Sequence, residues 1–259
     1  MSPVLRCDVD DGVAVLTLDR PGRLNAIGSD TVALLDEALD AFETDSTIRV
    51  VVVTGEGRAF SAGADITELD RLLTAHDFAR FVRSLTDVFG RLARLPQPSI
   101  AAVDGLALGG GFELALACDL RIAGAGARFG VPEVRLGLLP AAAGTQRLAR
   151  LLPAAIAKHL LMTGEPLSAD DALRWGLVNQ IVPASEALST SLELARSLAT
   201  GPPKAMAAAK RLVDDGVELP FDTAVGLERE VVALLFATAD REEGVTAFLD
   251  KRQPVFTGR

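Results

Sequence analysis

The run of Ile48, Val50, Val51, Val52, Val53 and Thr54 constrains the fold most, because it is almost unbroken in β-branched residues. A strand apolar on both sides has no face for water, and such strands belong in parallel sheets roofed by helices. The flanks agree. Val32, Leu35, Leu39 and Phe42 recur at helical spacing upstream, with Ser29 placed as an N-cap and Asp45-Ser46 breaking the pattern. Turn-rich Gly55-Glu56-Gly57-Arg58 follows the strand. A second helical stripe of Phe78, Phe81, Val82, Leu85, Val88, Phe89 and Leu92 ends at Pro96 and Pro98, and Ser99 to Val103 is a second buried strand. Glycine-rich Gly105 to Gly111 opens an apolar helix from Phe112 to about Cys118, and Leu120 to Ala123 reads as a short strand. Near the N-terminus, Val4 to Asp10 and Val13 to Leu18 flank Asp10-Asp11-Gly12 as a hairpin. Strands and helices alternate, so the class is α/β. From about Leu188 only helices are expected: Leu188 to Leu198, Pro203 to Val213 and Asp222 to Phe236, with a hinge at Gly201-Pro202-Pro203.

At 259 residues the chain can close one large core, with at most a small appendage, without disulfides or metal. A net charge of −9 disfavours nucleic acid as the main partner, so an anionic ligand needs a local basic patch. The longest charge-free stretches, Leu136 to Gln146 and Trp175 to Ser185, are too short to span a bilayer. Arg6, Asp8, Asp10 and Asp11 leave no apolar leader segment, and Cys7 and Cys118 make no disulfide framework, so a cytoplasmic location is expected.

Gly109-Gly110-Gly111 opens a helix, where free N–H groups and the positive dipole end favour an anion or oxyanion; a tight strand-to-helix turn is the simpler alternative. Neither standard nucleotide phosphate loop occurs, since Leu114 stands where a dinucleotide fingerprint needs its last glycine. Glu113 lies three residues after Gly110 and so projects from nearly the same helical face. A carboxylate in so apolar a helix points to a function, with a cap or salt bridge as the alternative. Glu133, between Phe129-Gly130-Val131-Pro132 and an apolar turn-rich segment, is a second such case. Ala59-Phe60-Ser61-Ala62-Gly63 nearly spells a nucleophile elbow, but the first glycine is missing and His76 and His159 both lie in helical stretches. Two histidines without a His-Glu-x-x-His pattern leave no zinc site.

Taken together these segments resemble the enoyl-CoA hydratase/isomerase (crotonase) family across nearly the whole chain. Asp19-Arg20-Pro21 with Leu24-Asn25-Ala26, Phe60 to Ile66, Asp104-Gly105 through Cys118-Asp119, and Phe129 to Glu133 occur in family order. Gly144-Thr145-Gln146-Arg147-Leu148, Thr163-Gly164-Glu165, Gly176-Leu177-Val178 and Ala247 to Arg252 complete the series.

The resemblance implies a spiral of strand-strand-helix units over residues 1–195, carrying the active site, and a helical region over 196–259 that drives trimerisation, often as a dimer of trimers. It implies two main-chain donors for a thioester oxygen at Ala62 and Gly110. It also implies Glu113 and Glu133 as the catalytic acids, Glu113 activating water and Glu133 delivering a proton at Cα. For the coenzyme A and pantetheine path the implied residues are Arg23, Leu24, Ala62, Gly63, Ala64, Asp65, Ile66, Gly109 and Ala141. Phe248 and Lys251 match positions that approach the coenzyme A of a neighbouring subunit. No separate cofactor and no metal is implied, coenzyme A being part of the acyl-CoA substrate. The activity expected is reversible syn addition of water to a trans-2-enoyl-CoA, of the β-oxidation type. A double-bond isomerase or another acyl-CoA reaction of the family is the alternative, and a non-catalytic acyl-CoA-binding scaffold the alternative of another class. Two departures stand out. Pro21-Gly22-Arg23 replaces the common Pro-Lys, and Ala141-Ala142-Ala143-Gly144 replaces a glycine-rich turn, keeping the N–H of Ala141 for the water but adding methyl groups to the pocket wall.

Overall fold

In the computed structural model residues 4–259 are described, so the first three residues of the expected core lie outside it. β1 (Leu5–Asp10) and β2 (Val13–Leu18) form the expected antiparallel hairpin, turning through Asp11 and Gly12 at positive φ. α1 (Ser29–Thr44) leads to β3 (Val50–Gly55) and β4 (Ala59–Ser61), then α2 (Ile66–Leu69) and α3 (Ala75–Arg94). The next turn of chain is β5 (Ser99–Val103), β6 (Leu106–Leu108) and α4 (Gly110–Ala117), and the one after it is β7 (Leu120–Gly124) and β8 (Arg128–Gly130). Then come α5 (Gly144–Leu151), α6 (Ala154–Thr163), β9 (Leu167–Ser168), α7 (Ala169–Arg174) and β10 (Gln180–Val182). Four helices finish the chain: α8 (Ala187–Ala199), α9 (Pro203–Gly216), α10 (Phe221–Phe236) and α11 (Ala239–Asp250).

The β1–β2 hairpin lies wholly in a six-stranded sheet, ordered β1-β2-β3-β5-β7-β10, and each later strand-strand pair gives one strand to it and one to a four-stranded sheet, ordered β4-β6-β8-β9. Among the strands of the described residues, β1–β2 and β8–β9 pair antiparallel and the other ladders are parallel. The chain therefore winds as a spiral whose coils stack through parallel ladders, as the family resemblance implies.

Both faces of β3 are buried, each in a different core. Val51 and Val53 point into the larger core with Leu35, Leu39 and Phe42 of α1 and Leu85, Phe89 and Leu92 of α3. Val50 and Val52 point the other way, with Ile100 and Ala102 of β5 and Ala187 and Ala195 of α8. α8 is thus the lid of the six-stranded sheet. Its own N-terminus is held by Asp104, whose carboxylate accepts the Ser185 N–H at 2.8 Å and the Ala187 N–H at 3.3 Å.

One local expectation fails. The N-cap of α1 is Gly28, not Ser29; Ser29 is already inside the helix, and its N–H and hydroxyl both donate to the Glu68 carboxylate, the N–H at 2.9 Å. A residue of α2 therefore supplies the charge that the helix N-terminus attracts.

The coils meet closely at the turns between the two sheets. Gly105, between β5 and β6, has φ +70, and a Cβ there would lie 2.0 Å from the carbonyl oxygen of Arg58 in the preceding coil. Gly105→Ala combines a forbidden overlap with a left-handed backbone, and should lose about 3 kcal/mol in urea unfolding. A wild-type midpoint for that variant would contradict this account of coil stacking.

Candidate active site

Strands β4, β6 and β8 are parallel neighbours, so their C-terminal ends emerge along one edge of the small sheet. Ala62 to Asp65 follow β4, Gly109 and Gly110 follow β6, and Val131 to Glu133 follow β8. Residues 24 to 133 are far apart in sequence and meet at that edge.

The segment after β4 is fixed by an interlock with the Leu24-Asn25-Ala26 loop. Leu24 and Asn25 are both left-handed, at φ 50 and 57. Asn25 Nδ2 donates to the carbonyls of Ala59 at 2.7 Å and Glu56 at 2.9 Å, while Ser61 Oγ donates to the Asn25 carbonyl at 2.8 Å. Ser61 is completely buried and its hydroxyl is spent on this brace, while His76 and His159 are exposed, so the nucleophile-elbow reading falls.

The interlock also corrects one donor. The Ala62 N–H donates to the Leu24 carbonyl at 2.8 Å and is not free for a substrate. Ala64 is. Ile27 takes the Asp65 N–H and gives its own to the Gly63 carbonyl, at 2.9 and 2.8 Å, as a one-residue parallel bridge. In such a bridge the central residue turns its own N–H to the opposite side. The Ala64 N–H accordingly has no acceptor among the described residues and lies beside Gly110, where an added Cβ would sit 3.5 Å from its nitrogen. The Gly110 N–H, at the first position of α4, likewise has no acceptor among the described residues. The two open donors are Ala64 and Gly110.

Glu113, one turn into α4, is 2% exposed. Its Oε1 accepts the N–H groups of Ala142 and Gly144, each at 2.7 Å. Burial nonetheless pushes its pKa up to about 7, helped by the negative charge of Glu133; the two amides and the Arg147 guanidinium pull the other way. Glu133 is the second residue of a short 3-10 turn, Pro132–Leu136, and burial raises its carboxyl as well. Its Oε2 is buried without a hydrogen-bond partner among the described residues, and its Oε1 rests against Gly109, where a Cβ would come within 2.8 Å. Gly109 is at φ +51, so a glycine is required there twice over. Two electrically coupled, partly desolvated carboxylates therefore border two open main-chain donors.

The other implied residues divide. Ala141 has its carbonyl held by Thr86 Oγ1 at 3.1 Å, and its N–H has no acceptor among the described residues. Asp65 is buried and spends its carboxylate internally. It accepts the Thr67 N–H and hydroxyl, capping α2, and pairs with Arg20 at 3.0 Å, contacts that hold its carboxyl below the usual range. Its side chain is a brace, which leaves only its backbone for a ligand. Arg23 is half exposed and lies over the same corner, donating to Thr67 Oγ1 at 2.9 Å with Asp65 Oδ1 at 3.6 Å. Ile66 is exposed, and Leu24 and Gly63 line the interlock. Phe248 and Lys251 are exposed at the C-terminal end of α11. Among the described residues no group of three or more His, Cys, Asp or Glu could hold a metal, and no helix is long and apolar enough to cross a membrane.

The fold is a two-sheet spiral, and its site sets two buried carboxylates beside two open main-chain donors. A sequence model described as "Enoyl-CoA hydratase/isomerase" matches residues 8–259. The chain is 43% identical over 242 residues to the short-chain-enoyl-CoA hydratase of Clostridium acetobutylicum, covering 93% of this chain and 92% of that one. It is 41% identical over 250 residues to the 2,3-dehydroadipyl-CoA hydratase of Escherichia coli, covering 95% and 96%. Among solved structures, an enoyl-CoA hydratase from Bacillus anthracis superposes with a TM-score of 0.95 at 34% identity, covering 99% of this chain and 100% of that one. The chain belongs to the enoyl-CoA hydratase/isomerase family.

Ala143, the N-cap of α5 between the two residues that grip Glu113, is at φ 71, a left-handed conformation that an alanine adopts at a cost. Ala143→Gly should therefore raise stability by roughly 0.5–1 kcal/mol, the relieved strain exceeding glycine's extra unfolded-state entropy. An unchanged or lowered urea midpoint would count against the strain.

Proposed function

We propose that this chain is an enoyl-CoA hydratase, a hydro-lyase that adds water reversibly and syn across the double bond of a trans-2-enoyl-CoA to give the 3-hydroxyacyl-CoA. The observation that carries the reading is the pairing of two desolvated carboxylates with two open amides at one sheet edge. Addition of water builds negative charge on the thioester oxygen. The N–H groups of Ala64 and Gly110 would receive it, and losing one such donor typically costs about 3–4 kcal/mol of barrier. Ala62, whose N–H is already engaged, has no part in that hole.

The acids divide the proton work. Glu113 has Oε1 occupied by two amides, which leaves Oε2 to take a proton from water. Glu133, with an unpartnered buried Oε2 and a raised pKa, suits delivery of a proton at Cα. The roles reverse in dehydration. The N–H of Ala141, without an acceptor among the described residues, supports a role for it in holding the water. Arg23, half exposed over the Asp65 corner, would stand in for the lysine usual at the first coenzyme A contact. No cofactor beyond the substrate's own coenzyme A enters the scheme. A soluble cytoplasmic setting fits the two free thiols, Cys7 and Cys118.

The C-terminal helices support assembly into a trimer or hexamer. Neither α9 nor α10 has a single buried residue, and Phe221 and Phe248 are 81% and 83% exposed. A cavity of 880 Å³ lies beneath the α9–α10 pair, lined by Leu95, Leu212, Leu227 and Leu234, and neither glutamate borders it. Such apolar faces need covering by other copies of the chain.

Purified protein should consume crotonyl-CoA or a longer trans-2-enoyl-CoA, read as loss of absorbance of the conjugated thioester. Inactivity from C4 to C16 would refute the assignment. Glu113→Gln and Glu133→Gln should each lower kcat by about 10²–10⁴ with little change in coenzyme A affinity. Since Glu113 must be ionised to accept a proton, kcat/KM should fall as pH drops through about 7. Sedimentation should give a trimer or hexamer; a stable monomer at micromolar concentration would exclude the assembly.

A further inference from the structure

The loop that grips Glu113 is itself gripped. Arg147, on the first turns of α5, donates through Nη1 to the Ala142 carbonyl at 3.1 Å and through Nη2 to the Phe89 carbonyl on α3 at 3.4 Å. Its own backbone N–H donates to the Ala143 carbonyl at 2.9 Å. The peptide units on both sides of the strained Ala143 are therefore anchored by one residue, and the N–H groups of Ala142 and Gly144 on either side of it are the two that hold Glu113 Oε1. We infer that Arg147 is a positioning residue for the hydration step, setting both the orientation and the charge state of the Glu113 carboxylate through the Ala142–Gly144 turn. The inference rests on the hydratase reading of that site.

Two properties of the guanidinium matter separately. Its planar fork reaches two carbonyls on different elements at once, which a point-like ammonium cannot do. Its fixed positive charge favours the ionised form of Glu113 and opposes burial and Glu133, both of which favour the protonated form. The charged and titratable groups facing Arg147 are Glu113 on α4, Cys118 at the end of that helix, Arg94 at the end of α3 and Asp214 on α9. Desolvation above all, with Arg94, lowers its pKa against the opposing pull of Glu113, Cys118 and Asp214, and an arginine starts so far above neutrality that it stays charged at pH 7. Arg147 is the cation whose charge favours the ionised form of Glu113.

The test compares wild type, Arg147→Gln and Arg147→Lys with crotonyl-CoA across pH, after thermal melting has established which variants fold. Arg147→Gln should lower kcat between about ten- and a hundredfold, through misplacement of the carboxylate, with KM within about twofold. The acid limb of its kcat/KM profile should move up by about one pH unit, because the charge that favours ionised Glu113 has gone. Arg147→Lys should return that limb towards wild type while kcat stays reduced, since charge is restored and the fork is not. A folded Arg147→Gln with wild-type kcat and pH profile overturns the inference. So does a kcat loss with an unmoved acid limb, which is what a purely structural role would give. If Arg147→Gln does not fold, Arg147→Met replaces it with the same readings, reduced kcat with a raised acid limb upholding the inference and an unmoved limb overturning it, and wild-type kcat in Arg147→Lys overturns it as well. A wild-type protein that hydrates nothing removes the hydratase reading itself, an outcome distinct from active wild type with indifferent variants.

Discussion

Everything at the site depends on keeping a carboxylate ionisable inside an apolar helix. Glu113 stands in a helix whose adjoining residues Phe112, Leu114, Ala115 and Leu116 are all buried. Main-chain dipoles do the compensating. Two amides converge on one oxygen, and a charge-assisted hydrogen bond of that kind is about twice as strong as a neutral one. Desolvation still outweighs them, which leaves the group balanced near neutrality where a proton can move either way. Neither a dry pocket alone nor a wet cleft with the same carboxylate would give that balance.

The small sheet solves the assembly problem. Its strands are three residues long or shorter and contribute little to the core; what they contribute is direction, because adjacent parallel strands end side by side. One end carries the amide at Ala64, the next the amide at Gly110 with Glu113 a turn beyond, and the third carries Glu133. The large sheet and its two apolar layers hold those ends in register. Lys210 ties α9 to the same body through Asp119 at 2.9 Å, so even the C-terminal region hangs from the sheet beneath the site.

Long, periodic elements were legible in the sequence. β5 runs from Ser99 to Val103 as its composition predicts, and the stripe through Phe81 and Leu92 does mark the buried face of α3. The strands of the small sheet were not, because three residues cannot show a period of two. α11 escaped notice because Gly244 and a run of charges interrupt any apolar stripe, and only Asp240 and Ala247 are buried. At the site, motif order was enough to single out Glu113, Glu133 and Gly110. The choice between Ala62 and Ala64 depends on which amide the distant Leu24 carbonyl occupies, a pairing that no spacing within the motif encodes. Arg147 was visible only as part of a signature, since its targets are carbonyls and carry no side-chain identity.

The position of α8 has a consequence for biosynthesis. Because that helix already covers the second face of the six-stranded sheet, the chain through residue 199 contains both apolar layers in full, before any of α9, α10 or α11 has been made. Vectorial folding from the N-terminal side could then close the catalytic body while the last helices are still in the ribosomal tunnel. The segments with the most uncovered apolar surface would emerge last, onto a finished scaffold, which shortens the time they spend exposed beside an unfolded chain.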